Sequence, residues 1–167
     1  SSVCVAVVCV GVVGGWRVLG QSWMAVGPSG GDVRALVADS HGPRAIYLGT
    51  VDGHIFGSRD GGEHWQLLGR VGDRLDSIVT AIVVDSRNSK RLYASTWTLG
   101  SNGGGAFESD DGGHTWRPSG LAGQSVRALA QAPSQPDILI AGTLAGVYRF
   151  RDSGKGWERI SPTNHDD

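Results

Sequence analysis

The chain has 167 residues, 15 Lys and Arg against 16 Asp and Glu, and a net charge of −1. Both signs are scattered, which argues against a nucleic-acid footprint and a polybasic membrane anchor, and the length suits one domain. Glycine is frequent at 27 residues, yet 40% of the chain is hydrophobic, so the glycines punctuate turns in a packed protein.

The first element is the uncharged run VCVAVVCVGVVGG from Val3 to Gly15. Its apolar core is too short for a comfortable bilayer helix and fits the hydrophobic region of a signal peptide, with a buried strand as the alternative. Residues 1–20 are therefore expected to be a leader, residues 21–161 the folded segment and 162–167 a tail. The expected location is secreted or periplasmic, with no stable membrane span after processing. Cys4 and Cys9 both lie in the leader, so the processed chain would hold no disulfide and no thiolate nucleophile.

Three segments then align: VRALVADSHGPRAIYLGT, VTAIVVDSRNSKRLYAST and VRALAQAPSQPDILIAGT. They start at residues 33, 79 and 126, so 46 and then 47 residues apart, a period typical of solenoids and propellers. Each holds two runs of period-two hydrophobicity separated by a polar turn, which read as first and second strands. HIFGS, GAFES and VYRF supply third strands, and HWQLL, TWRPS and GWERI fourth strands. The predicted fold is all-β, with about three β-propeller blades of four antiparallel strands. QSWMAVGPSGG, Gln21 to Gly31, is expected to add an orphan outer strand, with Trp23 in the blade-closing position. Three blades do not close a ring, so further blades or self-assembly are expected to complete it.

Between third and fourth strands stand SRDGGEHW, SDDGGHTW and FRDSGKGW. Glycine supplies the backbone angles of a reversal, Asp accepts backbone N–H bonds, and Trp brings a large ring for burial. These segments resemble Asp-box, or BNR, motifs. Ser58, Asp60, Gly62 and Trp65 fill the first, and Ser109, Asp111, Gly113 and Trp116 the second. Asp152, Gly154 and Trp157 remain in the third, where Phe150 replaces the serine. The resemblance covers roughly Ser22 to Ser161. It extends to the propellers of sialidases, xyloglucanase-type glycoside hydrolases, sortilin-like receptors and photosystem II assembly factors. It implies that the motif is structural and lies away from the ligand face.

Candidate chemistry therefore belongs to the opposite loops. The first repeat offers Asp52 and His54 in TVDGH, and the second an expanded loop, Thr96 to Gly105, carrying Trp97 and Asn102. A tryptophan in such a loop is a candidate stacking platform for sugar or peptide, or else a cover for its own blade. GRVGDRLDS adds Arg70, Asp73, Arg74 and Asp76 to that face. Trp97, Asn102, His54, Arg70 and Arg74 form the expected binding set, for a glycan or protein ligand. Asp52 is the candidate catalytic carboxylate, with Asp73 or Asp76 as a distant partner, should the chain be part of a glycosidase. A non-catalytic binding or assembly scaffold is the preferred reading. The five histidines lack metal-site spacing, DDGG lacks the acids of an EF-hand loop, and no phosphate-binding loop occurs, so no metal or cofactor is expected.

Overall fold

A computed structural model describes residues 25–28, 32–42, 44–100, 103–132, 134–151 and 156–161. The leader, Trp23, Asn102, Asp152, Gly154 and the tail lie outside these residues. The described residues form twelve strands and no helix. The first sheet holds β1 (Val33–Ala38), β2 (Ile46–Thr50), β3 (His54–Ser58) and β4 (Gln66–Arg70). The second holds β5 (Ser77–Asp85), β6 (Asn88–Thr98), β7 (Gly104–Ser109) and β8 (Arg117–Gly120). The third holds β9 (Val126–Ala132), β10 (Gln135–Thr143), β11 (Gly146–Arg151) and β12 (Gly156–Arg159). Each is an antiparallel meander with strands in chain order.

The sheets stack face to face through their first strands, β1 on β5 and β5 on β9. Period-two alternation lets the second sheet serve two cores at once. Val79, Ile82, Leu92 and Ala94 turn toward Ala35, Tyr47 and Ile55 of the first sheet. On the other side Ala81, Val83 and Tyr93 meet Val126, Leu129, Leu139 and Ala141 of the third. Burying each larger side chain here contributes about 1.5–3 kcal/mol. Two polar ties join the far edges of the sheets: His41 Nε2 lies 2.8 Å from the Ser86 carbonyl, and the Ser86 N–H donates to Gln131 Oε1 at 2.9 Å. The outward side of the first sheet is uncovered, since Val33 is 43% and Leu36 69% exposed, whereas Ile82 and Leu129, at the repeat position of Leu36, are 6% and 9% exposed.

The turns between third and fourth strands act as the residues suggest. The Gly62 N–H donates to Ser58 Oγ (2.8 Å), which donates to Asp60 Oδ1 (2.8 Å), which also accepts the His64 N–H (3.0 Å). The second turn repeats this with Ser109, Asp111 and Gly113, and Asp111 adds the Thr115 N–H (2.9 Å) and hydroxyl (2.5 Å). Gly62 and Gly113 sit at φ of +97° and +93°, where a side chain is strained. In the third sheet Phe150 has no hydroxyl for this role, and its ring packs 5.4 Å from that of Trp157. The tryptophans bind outward: Trp157 Nε1 donates to the Ser119 carbonyl of the second sheet at 3.1 Å, and Trp65 Nε1 donates to the Val26 carbonyl. Residues 25–28 thus meet Trp65 where a preceding outer strand is expected, but they form no strand. The fourth strands of the first two sheets begin after Trp65 and Trp116, because those rings belong to the turns.

Backbone N–H donation from His64 holds the Asp60 carboxyl far below its ordinary range, and the Thr115 hydroxyl does the same for Asp111. A depressed folded value means stability that is fully present above the unfolded pKa near 4 and is lost as pH falls through the folded one. The melting temperature is therefore expected to hold above about pH 5 and to drop below about pH 4. Asp111→Asn should lower the plateau and flatten that acid limb. An unchanged limb in this variant would remove Asp111 as its source.

Candidate functional site

The turns between second and third strands, and the links from one sheet to the next, lie at the end opposite the acid-and-glycine turns. Asp52, His54, Arg70 and Arg74 gather there. Thr50 Oγ1 donates to Asp52 Oδ1, and His54 Nδ1 lies 2.8 Å from Asp52 Oδ2. Arg70 Nε donates to the Asp52 carbonyl at 3.0 Å and its Nη2 to the Arg74 carbonyl, while Arg74 grips Asp76 through bonds of 2.9 and 2.8 Å. Thr50, more than any other group, lowers the Asp52 pKa. Asp52 is thus ionised at neutral pH, and both of its oxygens are engaged within its own turn. A glycosidase general acid needs the opposite environment, one that raises its pKa.

A second site arises from three matching irregularities. The first strands each bulge after their opening valine: Val33 pairs with Thr50 and Ala35 with Gly49, Val79 with Thr96 and Ala81 with Ser95, and Val126 with Thr143 and Ala128 with Gly142. The unpaired residues are Arg34, Thr80 and Arg127, and a bulge re-aims the side chain it carries. All three line one groove of about 580 Å³, together with Asp32, Trp97 and Leu99. Arg34 Nη2 donates to Asp32 at 2.9 Å. Thr80 Oγ1 donates to the Val126 carbonyl (2.7 Å) and meets Ser95 Oγ (2.9 Å), tying the second sheet to the third. The Arg127 guanidinium lies 3.6 Å from the centre of the Trp97 ring. Such stacking is worth about 0.5–2 kcal/mol and leaves the guanidinium edge free to donate hydrogen bonds. Among the described residues Arg127 has no hydrogen-bond or ion-pair partner.

Trp97 is the last but one residue of β6, opposite Gly104 of β7, so it stands on a strand and not in the loop. The groove contains Trp97 but none of His54, Arg70 or Arg74, which form a separate cluster. Arg34 and Arg127 were not singled out from the sequence. The signal was Val-Arg-Ala, Val-Thr-Ala and Val-Arg-Ala at one place in three repeats. A potential cation triad also exists: ligand atoms of Asp60, Glu63 and His64 lie within 4.8 Å of one another, on a solvent-facing turn whose Asp60 already serves the backbone.

No family model matches the chain. It is 30% identical over 162 residues to the oligoxyloglucan-reducing end-specific xyloglucanase of Emericella nidulans, which covers 88% of this chain and 19% of that protein. Its structure superposes on an ancestral GH74 enzyme with a TM-score of 0.66 at 21% identity, covering 84% of this chain and 20% of the other. The three sheets are blades of a β-propeller. YCF48 bound to D1 peptide gives a TM-score of 0.60 at 20% identity, covering 80% of this chain and 41% of the other. The chain thus spans about a fifth of the xyloglucanase's length. In propeller terms the bulged arginines stand at the inner rim of the blades, and the acid-and-glycine turns at the opposite end.

Proposed function

We propose that these blades are a non-catalytic, ligand-binding part of a propeller, with the acid-and-glycine turns as structural Asp-boxes. The ligand presents a carboxylate to the groove at the inner rim. The observation that carries this reading is the Arg127 guanidinium spread on Trp97. With its face covered in this way, Trp97 is a poor platform for a neutral sugar. The stacked guanidinium is instead pre-oriented for two parallel hydrogen bonds to a carboxylate. Arg34 adds positive charge across the same groove, partly offset by Asp32. An acidic protein segment fits best, because an extended chain reaches from one inner strand to the next. That the protein works outside the cytoplasm belongs to the same proposal, supported by the uncharged apolar run at residues 3–15.

Titration calorimetry with an oligoglutamate peptide should give salt-sensitive binding, weakened about tenfold or more in Arg127→Ala. Binding of a neutral xyloglucan oligosaccharide that Arg127→Ala leaves unchanged, with no affinity for the peptide, would overturn the proposal. The alternative, a piece of a glycoside hydrolase, is favoured by the 30% identity to a xyloglucanase. It requires product release from xyloglucan that Asp52→Asn abolishes and Asp60→Asn does not.

A further inference from the structure

The same position in the three repeats, the last residue of the Thr-ending second-strand motif, is Thr50, Thr96 and Thr143. In the first blade Thr50 Oγ1 donates to Asp52 and accepts the His54 N–H at 3.1 Å. In the third, Thr143 Oγ1 donates to the Gly146 carbonyl and accepts the Ala145 N–H, both at 3.0 Å. The turn that satisfies these hydroxyls is short. In the second blade it is replaced by the expanded loop, and Thr96, fully buried at 0% exposure, keeps a hydroxyl with no partner among the described residues. A buried hydroxyl left this way is destabilising unless something outside the chain meets it.

Something has room to do so. Thr96 lines a cavity of about 190 Å³ between the first and second blades, distinct from the rim groove. Ser77, only 4% exposed, lines it too, with the Asp73 carboxylate as an acceptor and Phe107 and Pro118 as apolar walls. The volume equals roughly six waters' share of the liquid, about the size of one pyranose ring. Hydroxyls that both donate and accept, a carboxylate that accepts and an aromatic wall complement a ligand with several neutral hydroxyls and one apolar face. Hence we infer that this interblade cavity is a binding site for a small neutral polyol the size of a single pentopyranose, anchored by the Thr96 hydroxyl. The site stands independently of the carboxylate reading of the rim groove.

The probe is D-xylose, which lacks an exocyclic hydroxymethyl group, added to the full chain while backbone amide shifts are followed by NMR. Saturable shifts are expected at Ser77, Gly104 and Gly105, without comparable shifts at Arg34 or Arg127. Thr96→Val, which keeps the side-chain shape, should weaken the affinity about fivefold or more. It should also leave the melting temperature of the unliganded chain unchanged or raised, whereas Thr50→Val should lower it. Tetrahydropyran, of the same ring size without hydroxyls, should not bind. Absence of shifts with xylose, equal shifts with tetrahydropyran, or undiminished affinity in a folded Thr96→Val chain would each overturn the inference.

Discussion

Replacing Ile82 by Ala is expected to lower the free energy of unfolding by about 2–5 kcal/mol, and the matching change Leu36→Ala by less than about 1 kcal/mol. The two residues hold one repeat position, three beyond Val79 and Val33, and the shared bulge keeps them on the same side of their strands. Ile82 is packed against the first blade at 6% exposure, so its truncation leaves a cavity that neighbouring blades close only in part. Leu36, 69% exposed, loses little. Urea unfolding of both variants followed by circular dichroism measures the difference. Equal losses would show that Leu36 is covered in solution and that the outward side of the first blade has a neighbour there.

Gly104→Ala is expected to cost on the order of 3 kcal/mol or more, because backbone strain of about 1–3 kcal/mol adds to a direct collision. Gly104 has φ of +117°, and a Cβ there would stand 2.2 Å from the Thr96 carbonyl oxygen and 2.7 Å from the Trp97 Cα. Relief requires β6 and β7 to part at the point where Trp97 carries Arg127. Oligoglutamate binding should therefore fall together with stability. Gly100 provides the control: it too has positive φ, +75°, yet a Cβ there would meet nothing within 4 Å. Gly100→Ala should cost only about 1 kcal/mol and spare the groove. Thermal melts with tryptophan fluorescence read both effects, and equal behaviour of the two variants would refute the collision.

The strands were legible because each repeat alternates apolar and polar residues between turn-forming clusters, and a 46-residue period shows the same pattern three times. Trp97 was misplaced for a local reason. The run from Gly103 to Gly105 reads as loop, yet Gly104 and Gly105 pair with Trp97 and Thr96 as the start of β7. Arg34 and Arg127 were hidden more deeply. Their direction depends on bulges, which are events of register between two strands, and the composition of one strand does not display them. Likewise the solitary hydroxyl of Thr96 emerges only when the turns beside Thr50 and Thr143 are seen to close on theirs.

The end of each blade that carries the Ser-Asp-Gly turns is far from the end that carries Arg34, Thr80 and Arg127. Requirements for folding and for recognition thus fall on different residues of the same repeat. The bulged position has already accepted Arg, Thr and Arg without loss of the blade. It is a natural place to diversify in a library: charged, polar and aromatic choices there would vary specificity while the turns at the other end keep the scaffold intact.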